Sequence, residues 1–123
     1  MKYVLISFLV FCTLKLSAQI KKRDLGIYQG TLAAYQINNG KQLLDVEACT
    51  IQVTLSKEDL RLDIGTKSYK GLYLVKKTKR RDYRISFTTP NSQIEETFIL
   101  RGKEKKMNRK GIFPQPDCTL IKP

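Results

Sequence analysis

Two pairs of adjacent carboxylates are the residues of this sequence best suited to chemistry. Glu95 and Glu96 form one pair, and Glu58 and Asp59 form the other. A glycosidase needs two carboxyl groups that face one site at a suitable separation. Adjacent residues of a strand point to opposite faces, so Glu95 and Glu96 do not share a site if their segment is extended. Glu58 and Asp59 lie in a predicted turn, where solvated carboxylates are usual.

The chain contains no histidine. Its absence removes the most common general base, the usual Ser-His and Cys-His nucleophile pairs, and the most frequent metal ligand. The sequence also has no Gly-rich phosphate-binding loop. Two cysteines as far apart in sequence as Cys49 and Cys118 do not form a zinc site. We therefore predict a protein that is not an enzyme and has no cofactor and no metal site.

Basic residues are the most informative feature of the composition. The chain has 23 lysines and arginines against 11 acidic residues, and residues 76–110 alone carry a net charge of +8. This asymmetry favours an anionic partner, although charge runs on small proteins often serve only solubility. The predicted anion-binding residues are Lys76, Lys77, Lys79, Arg80, Arg81, Arg101, Lys103, Lys105, Lys106, Arg109 and Lys110.

Residues 1–18 are typical of a secretory signal peptide. Lys2 supplies a positive start, and residues 3–14 form a nearly uninterrupted apolar run. A membrane-spanning helix is the alternative, but it requires about 20 apolar residues, and this run meets Lys15 too soon. We expect export to the periplasm or secretion, with no transmembrane segment left after cleavage.

The remaining residues, 19–123, are sufficient for one domain and too few for two stable ones. This segment keeps two cysteines, and in an oxidising compartment an even pair in a small exported protein indicates a disulfide. The sequence therefore predicts a Cys49–Cys118 bond. Two buried free thiols are the alternative.

Period-two alternation of apolar and polar residues dominates residues 19–123 and predicts short strands. Turn-forming residues separate them at regular intervals, including a sharp hairpin signal at Asn39-Gly40. Residues 41–48 fit either a short helix or a strand. The predicted strands are residues 26–37, 51–56, 60–64, 68–76, 83–88, 94–101 and 118–122. We predict an all-β fold, a single antiparallel meander barrel of about eight strands, with a two-sheet β-sandwich as the alternative.

Two segments carry a resemblance to a known family. The run Gly26-Ile27-Tyr28-Gln29-Gly30-Thr31-Leu32, followed by Cys49-Thr50-Ile51-Gln52-Val53-Thr54-Leu55, resembles the opening of small exported lipocalin-like (calycin-type) barrels. Tyr28 stands where lipocalins carry tryptophan in a Gly-x-Trp motif. The resemblance implies a closed barrel and assigns no functional residue.

The strand order places the basic turns together. Strands of a meander alternate in direction, so the loops after the strands at 68–76 and 94–101 leave the barrel at one end. We predict a basic rim there, suited to an anionic envelope polymer, a lipid head group or an acidic protein. Nucleic acid is not an expected partner, because Tyr83, Ile85 and Phe87 share one strand face and are typical of a core.

Two alternatives to this binding module remain. A small exported enzyme inhibitor could use the same basic rim. A lipocalin-like carrier would instead hold a small apolar ligand inside the barrel. The residues predicted to line that interior are Tyr28, Tyr73, Ile85, Phe87 and Phe98.

Overall fold

The computed structural model describes residues 19–90, 94–112 and 114–123, and this part of the chain is all-β, as predicted. Two single-turn 3₁₀ helices, η1 and η2, cover Lys22–Asp24 and Gly102–Glu104. The strands are β1 Gly26–Leu32, β2 Tyr35–Asn38, β3 Leu43–Val46, β4 Cys49–Leu55, β5 Asp59–Ile64, β6 Lys67–Lys79, β7 Asp82–Thr88, β8 Glu95–Arg101, β9 Lys106–Lys110 and β10 Cys118–Ile121.

Eight of these strands form a closed barrel in the order β1-β10-β9-β8-β7-β6-β5-β4, and β4 pairs back onto β1. Every neighbouring pair is antiparallel. The predicted barrel is therefore confirmed, and the β-sandwich alternative is wrong. Closure leaves no long free sheet edge, which is the physical advantage of a barrel for a chain made of short strands.

The barrel has two chemically different ends. The turns 56–58, 80–81 and 102–105 lie at one end with residues 19–24, and we call this the basic end. The separate two-stranded sheet of β2 and β3 lies at the other, which we call the hairpin end. The loop between β9 and β10 is also at the hairpin end, because successive antiparallel strands reverse direction.

Alternating side chains fill the barrel interior with one hydrophobic cluster. Each strand turns every second residue inward, as in β7, where Tyr83, Ile85 and Phe87 are fully buried. The cluster comprises Tyr28, Ile51, Val53, Leu55, Leu60, Leu62, Tyr83, Ile85, Phe87, Phe98, Leu100, Met107 and Leu120. The burial of these side chains is the main source of the stability of the fold.

The segment that follows β1 is a hairpin. The predicted strand over residues 26–37 breaks at 33–34, and residues 43–46 pair with 35–38 as a strand rather than a helix. The turn lies where Asn39-Gly40 predicts it, but the loop has four residues, because Asn38 pairs with Leu43. The Asn39 side chain accepts hydrogen bonds from the backbone N–H groups of Lys41 and Gln42, at 3.0 and 2.9 Å.

Strand β9 was not predicted, because its residues read as part of a basic turn. Only Met107 among its five residues is hydrophobic, and the second inward position of the strand is occupied by Arg109. A charged residue at a core position removes the apolar alternation by which a strand is recognised in sequence.

The predicted Cys49–Cys118 disulfide is wrong, and both thiols are free and half-buried. Cys49 lies in β4, opposite Leu32 of β1. Cys118 lies in β10, which pairs with the other edge of β1. Strands two apart in a sheet are separated by about 10 Å, whereas a disulfide accepts Cα atoms at most about 7 Å apart. Strand β1 therefore lies between the two strands that carry the cysteines.

The predicted signal peptide, residues 1–18, lies outside the described residues and stays a prediction. Among the helices of the described ranges, none has the length and apolar character needed to cross a membrane.

Candidate anion-binding surface

The two basic turns predicted to adjoin do lie side by side at the basic end. The β6–β7 turn contacts the β8–β9 turn through the backbone, because the N–H of Gly102 donates to the carbonyl of Arg81 at 2.8 Å. Each turn contains a residue other than glycine in the left-handed region, Arg81 at φ 62° and Lys105 at φ 54°. The exposed cations of these two turns and the adjoining strand ends are Lys76, Lys77, Lys79, Arg80, Arg101, Lys103, Lys105 and Lys106.

The long strand β6 extends beyond the end of its neighbour β5 at the basic end. Residues 67–72 of β6 pair with β5, and residues 73–79 pair only with β7. A register shift between Lys77 and Lys79 marks a bulge at the tip, which bends the strand. Lys77 is exposed although its position continues the inward series of Tyr73 and Val75, and beyond the bulge Lys79 pairs with Asp82 and is exposed as well.

A third basic segment joins these turns. The arm of residues 19–24, which sequence alone suggests is flexible, folds against the basic end and ends in η1. Its three cations, Lys21, Lys22 and Arg23, are exposed. The positive charge of Arg23, then lost hydration, then the charges of Lys77, Arg80 and Arg81 lower the pKa of Lys21. The cations of the arm and of the β6–β7 turn therefore share one positive surface.

Asp24 holds the arm in place and is itself 1% exposed. Its Oδ1 accepts a hydrogen bond from Arg81 Nη2 at 2.7 Å, and its Oδ2 accepts one from the Tyr83 hydroxyl at 3.4 Å. Its backbone carbonyl accepts one from the Tyr28 hydroxyl at 2.7 Å. Burial, and then the negative charge of Asp24, raise the pKa of Tyr28 to about 12. The sequence analysis did not identify this anchor. The signal that could have indicated it is an acidic residue placed directly after three cations.

Arg81 is a structural residue rather than an anion-binding one, which corrects the sequence prediction. Its side chain is 19% exposed, and its guanidinium donates to both Asp24 and the carbonyl of Gly102, the latter at 3.2 Å. The carboxylate lies so close to Gly102 that a Cβ there would stand 2.6 Å from Asp24 Oδ1. The cost of placing Arg81 in the left-handed region is thus offset by a buried, bidentate ion pair.

Arg109 is also misassigned by the sequence prediction. It lies inside the barrel near the hairpin end, 1% exposed, and its Nε and Nη2 donate to the Glu96 carboxylate at 2.8 and 3.0 Å. Nη2 also donates to Gln115 Oε1 at 2.8 Å. Among the described residues, Nη1 is buried with no hydrogen-bond partner. Lys110 follows Arg109 and is exposed at the hairpin end, so neither residue belongs to the basic end.

Glu95 and Glu96 lie where strand geometry predicts, whereas of the second pair only Glu58 lies in the predicted turn, because Asp59 begins β5. Glu95 is exposed while Glu96 is buried, so the two side chains face opposite sides of β8. Glu96 shares the inward series of Phe98 and Leu100, which is the signal that could have identified it as an interior residue. Within the described ranges, no group of three or more acidic or cysteine side chains is placed to hold a metal ion.

The residues predicted to line a ligand cavity pack against one another. Tyr28, Ile85, Phe87 and Phe98 belong to the central hydrophobic cluster and are at most 1% exposed. Tyr73 is half-buried, and its hydroxyl donates to the carbonyl of Ser56 at 2.7 Å. This packing is that of a filled core, so it favours a site on the surface over one in the interior.

Comparison with protein families, curated proteins and solved structures gives no match for this chain.

Proposed function

We propose that this chain is an exported, non-enzymatic binding module that holds an anionic partner at its basic end. The observation that carries the proposal is the convergence of three basic segments, residues 21–23, 76–80 and 103–106, at one end of a closed barrel. The exposed acidic residues at that end are Glu58 and Glu104, and Glu104 lies 4.0 Å from Arg101. The excess of cations gives a positive field, which attracts and orients anionic groups.

The backbone of the β8–β9 turn presents Lys105 to solvent at the basic end. Lys105 adopts φ 54° at the end of η2, in a region where glycine is strained least and other residues cost about 1 kcal/mol. Arg81 has an ion pair that offsets such a cost, whereas Lys105 is exposed. Backbone hydrogen bonds hold this turn, from the Lys105 N–H to the Gly102 carbonyl at 3.2 Å and from the Lys122 N–H to the Lys105 carbonyl at 3.0 Å.

The test is the binding of residues 19–123 to a synthetic polyphosphate. The triple variant Lys77→Gln, Lys79→Gln and Lys103→Gln should bind at least about tenfold more weakly, because each lysine beside an anionic surface contributes about 1 kcal/mol. Thermal stability should remain unchanged, because exposed charges contribute little to folding. Binding should also weaken steeply as salt rises, since the Debye length is about 8 Å at physiological ionic strength.

The matched control removes the same charge from the hairpin end, through Lys41→Gln, Lys67→Gln and Lys110→Gln. Lys57 lies outside the two basic turns but cannot serve in this control, because its turn, residues 56–58, also lies at the basic end. A loss of affinity equal to that of the basic-end variant would mean that only net charge matters, and would contradict the proposal.

A further inference from the structure

Two leucines on the outer wall of the barrel are almost fully in water. Leu72 and Leu74 lie on the outward face of β6 and are 76% and 78% exposed. They are two positions apart on one strand, so their side chains stand side by side about 7 Å apart. Leu74 lies opposite Ser86 of β7, and Leu72 lies opposite Asp59 of β5, so neither is covered by an apolar neighbour across the sheet.

Basic residues flank Leu72 and Leu74 on the outward face of the barrel. Lys70 precedes the leucines in the outward series and Lys76 follows them, and Arg84 lies directly opposite Lys76. The adjacent acid, Asp59, lies 3.7 Å from Lys70 Nζ, and Lys76 and Arg84 leave an excess of positive charge around the leucines. The strand then continues to the exposed cations of its tip at the basic end.

We propose that this surface inserts into an anionic lipid layer, with Leu72 and Leu74 entering the acyl boundary and the surrounding cations contacting head groups. The inference rests on the proposed function and names its partner as a lipid surface. Such a surface offers an anionic layer above an apolar one, with interfacial elements buried about 5–10 Å deep. With the strand lying along the surface, Leu72 and Leu74 project toward the acyl boundary, and Lys70 and Lys76, each about 7 Å away along the strand, reach back to the head groups through their flexible stems.

A tryptophan reporter tests insertion directly, because the chain contains no tryptophan. The variant Leu74→Trp should show a blue shift of emission with vesicles that contain phosphatidylglycerol, and no shift with pure phosphatidylcholine vesicles. The control Leu43→Trp places the reporter at an exposed leucine of β3, at the hairpin end, and should show no shift with either. A shift of equal size from both reporters would overturn the assigned surface.

Vesicle affinity supplies the second measurement. The double variant Leu72→Ser and Leu74→Ser should bind phosphatidylglycerol vesicles at least about tenfold more weakly, since two leucine side chains no longer leave water. The control Leu43→Ser and Leu44→Ser should bind as the unchanged chain does. Polyphosphate binding should be the same in all three.

The two proposals fail in different ways. Unchanged vesicle binding by the Leu72→Ser and Leu74→Ser variant would overturn insertion and leave the basic end intact as a polyanion site. A chain that binds neither polyphosphate nor vesicles would overturn the proposed function itself. A blue shift of Leu74→Trp that follows protein concentration without vesicles would show that a second copy covers the leucines, and would overturn the lipid assignment.

Discussion

At the scale of single residues, two buried ion pairs stabilise opposite ends of the barrel. Arg81 and Asp24 join the arm to the basic end, and Arg109 and Glu96 lie inside near the hairpin end. Each arginine is bidentate or nearly so, which is the geometry that best compensates for the loss of hydration. Two of the residues predicted as anion ligands therefore serve the fold.

Breaking the interior pair should be strongly destabilising. The single substitution Arg109→Met leaves the Glu96 carboxylate buried without its cation, and we expect the free energy of unfolding to fall by about 3–5 kcal/mol. The double variant Arg109→Met and Glu96→Leu removes both charges and should recover a large part of that loss. Urea unfolding of the three chains measures this. A double variant no more stable than the single one would contradict this account, and a double variant less stable than the unchanged chain would show that the pair is net favourable over an apolar replacement.

Substitution of Lys105, the residue with positive φ in the β8–β9 turn, should change binding and stability in opposite directions. Replacement of Lys105 by glycine relieves the left-handed conformation, so Lys105→Gly should raise the free energy of unfolding by up to about 1 kcal/mol. The same change removes a cation from the basic end and should weaken polyphosphate binding. Lys103→Gly supplies the comparison, since residue 103 is not among those with positive φ and should lose stability. A drop in stability with Lys105→Gly would contradict this account.

At the scale of elements, the closure of the barrel depends on a close approach of β1 and β10. Their register is anchored by Gln29 opposite Ile121, and a Cβ at Gly30 would stand 2.5 Å from the carbonyl oxygen of Thr119. A backbone atom cannot move aside as a side chain can. The glycine at position 30 therefore allows the last strand to pack against the first.

The substitution Gly30→Ala should accordingly lower the free energy of unfolding by at least about 1–3 kcal/mol, the range for overpacked sites. Gly71→Ala is the matched control, because its Cβ would meet side-chain atoms alone, the ring edge of Phe87 at 3.0 Å and Pro90 Cγ at 3.8 Å, and side chains can shift where a backbone atom cannot. Chemical denaturation of both variants decides the point. Equal losses would mean that the β1–β10 contact has no special role.

Sequence pattern predicts elements well where inward positions are apolar and poorly where they are not. The alternation in β4, β5 and β7 predicts those strands closely, and it places Tyr83, Ile85 and Phe87 inside, as the structure does. In β9 the inward Arg109 removes the signal. In β6 the run from Leu72 to Val75 is apolar at every position, so pattern alone cannot tell which side faces water.

At the scale of the whole molecule, the closed barrel and the meeting of the basic turns were both predictable, because they follow from strand alternation and direction. The pairing of charges was not. Whether Arg81 and Arg109 are solvated or buried depends on Asp24 and Glu96, which approach them only in the folded chain. Ion pairs between residues far apart in the chain produce no periodic pattern in the sequence.

The position of β10 between β1 and β9 also sets a condition on biosynthesis. A nascent chain that lacks residues 118–121 has one open edge on β1 and another on β9, and its inward apolar side chains face a gap in the wall. Open edges of this kind can pair with other chains. The edges of β1 and β9 are therefore protected from pairing with other chains only once residues 118–121 are in place.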